Sequence, residues 1–154
     1  VSASDSDLVP LIEEILDNSR EMVLATANGG APWAATLVYG HDKDYHLYWI
    51  SFDKSRHTQQ ILNNSKVAAV INIQPTGGGQ DKGLQIEGTA QKLDDNRILS
   101  VAREFYAKRG KDVPKSEEEL AKLPDDMSWY ELTPEKIYVY YGPLYGFDRQ
   151  EYTF

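Results

Sequence analysis

Between Glu21 and Ser51 the chain has room for little except strands that double back on one another. The run "EMVLATA" stops at Asn28-Gly29-Gly30, "WAATLVYGH" stops at Asp42-Lys43-Asp44, and "YHLYWIS" stops at a third polar turn. Val, Ile, Thr, Tyr and Trp pack well on a pleated surface, and Asn-Gly or Asp-rich punctuation makes tight antiparallel connections. The pattern resumes in "SKVAAVINI", whose near-continuous apolar run predicts a strand buried on both faces. It continues in "GLQIEGTAQKL", where Gly88 predicts a bulge or bend, and in two last strands over 128–132 and 136–141. So many antiparallel strands in a short chain hide their edges most economically by closing into a barrel.

Helical periodicity interrupts that alternation. Leu8, Leu11, Ile12 and Ile15 fall three and four apart, which predicts a helix over residues 5–19, with Asp5 or Ser6 as cap and Pro10 in the first turn. Residues 53–64 turn helical around Ile61 and Leu62. Residues 98–108 carry Ile98, Leu99, Ala102, Phe105 and Tyr106 on one side. A short helix is expected near 116–123, ahead of a tail containing glycine and aromatic residues. No internal repeat or composition break divides these elements. Residues 1–154 therefore read as a single domain of mainly β class, a six- to seven-stranded antiparallel barrel with helices at its ends.

Composition removes several function classes. A formal charge of -8 and a pI near 4.8 leave no basic track for nucleic acid. No apolar run reaches the roughly 18 residues of a membrane helix, so no membrane partner is expected. A chain without cysteine has no disulfide or thiolate chemistry and suits a reducing cytoplasm, the location expected here. His41, His46 and His57 form no HExxH or other short ligand spacing, so no metal site is expected. No Gly-x-Ser-x-Gly elbow supports a hydrolase, and the acidic runs Glu13-Glu14 and Glu117-Glu118-Glu119 read as solvated helix faces. "QPTGGGQDKG" lacks the Gly-Lys-Ser/Thr of a phosphate loop and reads as a mobile loop or wide hairpin, one able to close over a substrate.

One stretch does point to chemistry. In "YWISFDKSRHTQQI", Lys54, Arg56 and His57 crowd together where a strand hands over to a helix. Cations at a helix N-terminus oppose its dipole, so without an anion the arrangement is mildly unfavourable. With an anion it is apt: the hydroxyls of Ser51 and Ser55, the free N–H groups of the first turn and a planar guanidinium together match phosphate. His57 adds a ring N–H donor, a stronger one if a phosphate dianion holds it protonated.

The order of these motifs carries a resemblance. Gly30-Ala31-Pro32, "LYWISFDKSRHTQQI", "NNSKVAAVI" and "LQIEGTAQKL" follow one another as in the pyridoxamine 5'-phosphate oxidase-like, FMN-binding split-barrel family. The similarity extends less strongly through "WYELTPEKIYVYY" to "YGFDRQEY", so it covers most of residues 21–152. Within the family the chain is most similar to a small bacterial branch with an Arg-His pair and a Gly-Phe tail.

The resemblance implies FMN held at the interface of a homodimer. It assigns backbone groups of Ala35, Thr36, Leu37 and Val38 to the isoalloxazine edge, and Ile50 and Ser51 to the strand end beneath the ribityl phosphate. Arg56 and His57 take the phosphate, where well-studied oxidases have Arg-Lys. Tyr140 and Arg149 reach the flavin of the neighbouring subunit. The large residues Trp33, Trp49, Tyr140 and Tyr141 also predict a dimer, being more than one small barrel is expected to hide. Departures matter as well: Gly40 stands where the oxidase has a substrate lysine, Gly83 where it has a flavin-contacting glutamine, and Tyr106 and Arg109 only partly echo its grip on pyridoxal phosphate. Vitamin B6 oxidation is therefore not expected. No catalytic residue declares itself, although Tyr39, Tyr140 and Arg149 are placed to lie near the ring. The expectation is an FMN-dependent oxidoreductase of an unassigned small substrate. The alternatives are a non-catalytic protein that stores or senses flavin or haem, a deazaflavin protein, and a pocket that binds nothing.

Overall fold

The computed structural model describes residues 2–74 and 81–154. Its strands are β1 (Glu21–Asn28), β2 (Ala31–Val38), β3 (Gly40–His41), β4 (Leu47–Phe52), β5 (Lys66–Ile73), β6 (Lys82–Lys92), β7 (Met127–Tyr141) and β8 (Gln150–Tyr152). They pair antiparallel in the order β2-β1-β5-β6-β7-β4-β3, with β8 beside β7. The two ends of that path, β2 and β3, are consecutive in the chain and separated by Tyr39 alone. The sheet therefore curls until a single residue spans the gap between its ends, which makes it a split barrel. Four helices accompany it: α1 (Asp5–Asn18), α2 (Arg56–Asn63), α3 (Ile98–Lys108) and the short α4 (Gly142–Tyr145). Most of the glycine-rich connection, residues 75–80, lies outside the described residues.

The main core forms between α1 and the inside of the barrel. Leu8, Ile12, Ile15 and Leu16 of α1 meet Met22 and Leu24 of β1, Ile71 of β5, Leu84 and Ile86 of β6, and Ile137 and Val139 of β7. A second core lies under α3, where Val101, Ala102 and Phe105 cover Tyr48 of β4 and Trp129 of β7. β8 fastens the tail near the start of α1: Ala3 N–H donates to Gln150 Oε1 at 2.9 Å and Thr153 N–H to Asp5 Oδ1 at 3.1 Å.

Several expectations need correction. β5 alternates buried and exposed along its length, so its apolar run is covered on one face only. Trp33 to His41 is not one strand but two, broken at the buried Tyr39 where the chain changes edges. Tyr45 is outside the third strand; it adopts φ +66° in a turn where the Asp42 carboxylate accepts the N–H groups of Asp44 and His46. Ser4, not Asp5 or Ser6, caps α1, and Pro10 sits inside that helix, beyond its first turn. The expected helix near 116–123 is a single 3₁₀ turn, Glu117–Glu119.

The two strands expected over 128–132 and 136–141 are one continuous β7. Pro134 suggests a break because it lacks a ladder donor, and the sheet absorbs it with a bulge. Gly88 pairs with Pro134 and Glu87 with Lys136, leaving Glu135 as the extra residue. Gly88 is required opposite it, since a Cβ there would come within 2.2 Å of the Thr133 carbonyl oxygen.

Candidate functional site

The end of β4 and the start of α2 build a compact polar cluster. Ser55 has extended backbone and caps α2, accepting from Thr58 N–H at 3.4 Å and donating to Thr58 Oγ1 at 2.8 Å. His57 is buried, with Nε2 at 2.8 Å from Ser51 Oγ and 3.2 Å from Ser55 Oγ. Burial pushes its pKa below the ordinary imidazole range, so the ring is a neutral partner of two hydroxyls. Arg56 extends outward, with its guanidinium carbon 4.3 Å from the centroid of Trp33 in β2. It forms no ion pair among the described residues. The first two amides of α2, those of Arg56 and His57, likewise have no protein acceptor among them. Hydroxyls, orphan amides and an unpaired guanidinium are thus gathered at one helix end, a donor set that fits a phosphate.

Two further contacts set that helix against the hairpin. Thr26 Oγ1 donates to Gln60 Oε1 at 2.6 Å, and Gln60 Nε2 reaches the Ala31 carbonyl at 3.4 Å. The periodicity of residues 53–64 pointed to Ile61 and Leu62 as anchors. Ile61 is buried while Leu62 is exposed, and the polar Thr58 and Gln60 do part of the docking instead. Trp33 was not legible as a neighbour of the cluster, and Gln60, although inside the quoted stretch, gave no sign that it would dock on Thr26.

β2 is the edge of the sheet and is covered almost nowhere along its length. Ala35 and Leu37 pair with Leu24 and Met22, while Thr36 and Ala34 pair with Val23 and Ala25. The same register continues to β5, where Val23 meets Val70 and Ala25 meets Ala68. Two short rows result on the outer face, Thr36–Val23–Val70 and Ala34–Ala25–Ala68, both apolar or nearly so and flat. A groove of about 570 Å³ runs over Val23, Thr36 and Val70 toward Asn72. Ile50 and Val38, by contrast, line a different cavity beneath α3.

Tyr140 and Arg149 form a separate cluster. Tyr140 OH donates to Asn72 Oδ1 at 2.6 Å, Arg149 Nε donates to Gln85 Oε1 at 3.1 Å, and the Arg149 guanidinium carbon lies 4.7 Å from the Tyr140 ring centroid. Asn72 belongs to the end of β5 beyond the Val23–Val70 pair, whereas α2 docks on Thr26 at the other end of β1. One chain does not bring these residues to the α2 cluster.

The glycine departures have steric causes. A Cβ on Gly40 would come within 2.8 Å of Phe105 Cα, because α3 packs directly on β3. A Cβ on Gly83 would come within 2.5 Å of Tyr140 OH and 2.6 Å of the Ile71 carbonyl oxygen. Neither position has room for a lysine or a glutamine in this packing. Of the expected dimer-forming aromatics, Trp49 is fully buried against Tyr130, Tyr140 and Tyr141 are partly covered, and Trp33 alone is well exposed, at 41%. Asp42, Asp44 and His46 bring ligand atoms within 4.8 Å of one another. Asp42 is already committed, however, accepting from Tyr48 OH at 2.6 Å and lying 3.1 Å from His46 Nδ1. Among the described residues no helix is long and apolar enough to cross a membrane.

Comparison with known proteins agrees with this architecture. A family model described as pyridoxamine 5'-phosphate oxidase matches residues 8–141. The chain is 34% identical over 77 residues to a UPF0306 protein of Enterobacter sp. (strain 638), a match covering 49% of this chain and 54% of that protein. The chain thus spans about half the length of that curated relative. Among solved structures, HutZ, the haem storage protein of Vibrio cholerae, superposes with TM-score 0.68 at 19% identity, over 86% of this chain and 94% of that one. A FAD-binding protein of Mesorhizobium loti superposes with TM-score 0.63 at 19% identity, over 81% of this chain and 88% of that one. At these identities the structures share the fold. The family match runs from α1 through the whole of β7, and on that extent the chain belongs to the pyridoxamine 5'-phosphate oxidase family.

Proposed function

We propose that the protein is a homodimeric FMN-binding flavoprotein and an oxidoreductase of a small molecule other than pyridoxamine phosphate. The observation that carries this reading is the polar cluster at the start of α2, whose first two amides have no protein acceptor among the described residues, together with Arg56 laid over Trp33 and free of any carboxylate there. There the Arg56 and His57 amides, the Ser51 and Ser55 hydroxyls and the guanidinium would hold the ribityl phosphate. The free edge of β2 at Ala35, Thr36, Leu37 and Val38 offers unpaired backbone groups to the ring edge. When bound, FMN supplies the electron transfer, and the protein fixes the ring's position and shields it from water.

Two features of one chain support the dimer. The Val23–Val70 face is apolar and uncovered, and Tyr140 and Arg149 stand at the far end of the sheet from α2. A second copy laid on that face would carry its own Tyr140 and Arg149 toward the flavin of the first. Gly40, closed in by α3, cannot be exchanged for the oxidase lysine without moving the helix, which argues against vitamin B6 as the substrate.

The test begins with the chromophore. Denaturing the purified protein should release a yellow compound with the mass of FMN; a Soret band would select the haem-binding alternative and an FAD mass the larger flavin. Arg56→Ala should then weaken FMN by about ten- to a hundredfold, the worth of a charge-assisted hydrogen bond, and leave riboflavin nearly unchanged. Equal losses for both ligands would remove the phosphate assignment. Photoreduction of the bound flavin followed by reoxidation with candidate acceptors separates an oxidoreductase from a flavin store.

A further inference from the structure

Among the donors at the start of α2, His57 is the one whose charge is conditional. A lysine at this position would be an ammonium at any pH near neutrality, whereas an imidazole gains or loses its charge there according to its surroundings. The surroundings of His57 favour the neutral ring. The residue is 8% exposed and forms no ion pair among the described residues, and burial pushes its pKa below 6.5.

The hydrogen bonds locate its proton. Ser55 Oγ donates to Thr58 Oγ1 at 2.8 Å, so toward the imidazole, 3.2 Å away, that oxygen is an acceptor. The neutral ring therefore carries its proton on Nε2 and shares it with Ser51 Oγ, 2.8 Å away, which leaves the Ser51 hydroxyl proton for another acceptor. A second proton enters at Nδ1, which has no hydrogen-bond partner among the described residues. Neighbouring elements do little to hold it there. Asp53, in the turn before α2, gives Oδ1 to Tyr130 OH of β7 at 2.6 Å, and Tyr130, pushed up to about 12 chiefly by burial, stays neutral. Lys54 and Arg56 are cations, and Arg56 lies over Trp33 of β2. Ser51 of β4, Ser128 of β7, Thr26 of β1, and Thr58 and Gln60 of α2 are buried and uncharged.

We propose that the protein takes up a proton at His57 when it binds the phosphate of FMN, so that the cofactor is held tightly near neutral pH and loosened as the pH rises. The inference rests on the flavin reading and adds a proton to it. A dianion beside the ring favours the imidazolium, so the pKa of His57 is higher in the complex than without the ligand. By linkage, the protonated ring favours FMN to the same degree. The extra affinity is present below the raised pKa and is lost as pH climbs through it. Above about pH 7 a phosphate monoester is already a dianion, its second pKa being about 6, so the charge that changes at the phosphate site is that of His57. Lys108, held down to about 7 chiefly by burial, titrates in the same window, but it lines the cavity beneath α3 with Val38 and Ile50. There its charge acts on the ring system that FMN and riboflavin share, and riboflavin isolates the His57 share.

The test titrates flavin-free protein with FMN and with riboflavin from pH 6.5 to 8.5 by flavin fluorescence quenching. NMR follows the His57 ring with and without FMN, its signals assigned through His57→Gln. FMN affinity should fall by about tenfold or more over that range, the consequence of a pKa raised by about one unit or more by an opposite charge, and riboflavin affinity should change much less. The ring should titrate below 6.5 without ligand and above about 7 with FMN. His57→Gln should bind FMN about as weakly as the parent does at pH 8.5, and His57→Lys about as tightly as the parent does at pH 6.5, both with no more pH dependence than riboflavin. If either variant fails to fold, the two measurements on the parent decide. FMN that binds with the pH dependence of riboflavin, a ring whose titration FMN leaves in place, or a folded His57→Gln that keeps the parent's slope each overturn the proposal and leave the flavin assignment standing. FMN that binds at no pH overturns both.

Discussion

The two faces of β1 and β5 are nearly alike in polarity and opposite in fate. Inward, Met22 and Leu24 of β1 and Val67, Ala69 and Ile71 of β5 are buried under α1. Outward, Val23 and Ala25 of β1 and Ala68 and Val70 of β5 are exposed, Val23 at 41%. The inward residues are larger and interlock with Leu8, Ile12 and Leu16. The outward ones are small or β-branched and lie in flat rows. An apolar run in a strand therefore says that both faces avoid water. It does not say that the same chain covers both, and a flat outer face is suited to a second sheet where a ridged one suits a helix.

The largest effect should come from charging the outer face. Val23→Asp together with Val70→Asp would place four carboxylates in the proposed symmetric interface, where each unpaired buried charge costs several kcal/mol. Light scattering should give the 17.4 kDa monomer for the variant and twice that mass for the parent. The circular dichroism spectrum should be unchanged, because neither side chain supports the inner core. A parent that is itself monomeric at micromolar concentration would remove the reason for the difference between the faces.

Leu24→Ala probes the inner face next to it. Truncating a fully buried leucine costs about 2–5 kcal/mol, and the loss should not vary with protein concentration. Val23→Ala should cost less, and its cost should grow as concentration rises and dimer accumulates. Urea denaturation at several concentrations measures both. Equal, concentration-independent losses at the two neighbours would mean that the outer face is not an interface.

How much of this could be read beforehand depended on whether a residue's own pattern decided its fate. α3 begins and ends where its apolar spacing puts it, because Val101, Ala102 and Phe105 all reach one core. The bulge at Gly88 was legible, yet Pro134 split β7 on paper, since nothing in the sequence shows that Glu135 can be extruded to keep the ladder. The donor cluster at α2 was legible because Ser51, Ser55, Arg56 and His57 are close in sequence. Arg20 and Arg109 are not, and only the packing of α3 near the α1–β1 connection puts them in one cavity. Tyr39 read as a strand residue placed near the flavin ring, with no sign of its part in the fold. Its hydroxyl donates to Leu16 O at 2.8 Å and its ring underlies Lys108, so it is the hinge at which the sheet changes edges.

Gly40 extends the comparison to the far edge of the sheet, where β3 has α3 against it and no free face. Gly40→Ala should destabilise by about 1–3 kcal/mol through overpacking against the α3 backbone. Gly40→Lys should do so more severely without producing pyridoxamine phosphate turnover. Thermal melts and a steady-state assay report the two outcomes. A well-folded Gly40→Lys with oxidase activity would show that α3 yields and that the glycine alone withholds the reaction.

The smallest effect concerns protons, and it sets two covered histidines at different ends of the molecule side by side. His57 and His41 both have pKa values lowered chiefly by burial, from an ordinary value of 6.5. In the window below that value the unfolded chain binds protons that the folded chain refuses, so stability falls as pH drops through it and is level above it. Urea midpoints at pH 7.5, 6.5 and 5.5 should trace that fall in the flavin-free protein. His57→Gln should remove part of the slope and leave the part due to His41. Phosphate at the start of α2 favours protonated His57, so added FMN should flatten the His57 share of the slope while riboflavin leaves it in place. An unchanged slope in His57→Gln would mean that the ring accepts its proton in the fold as readily as in water, and that its two hydroxyl partners do not hold it neutral.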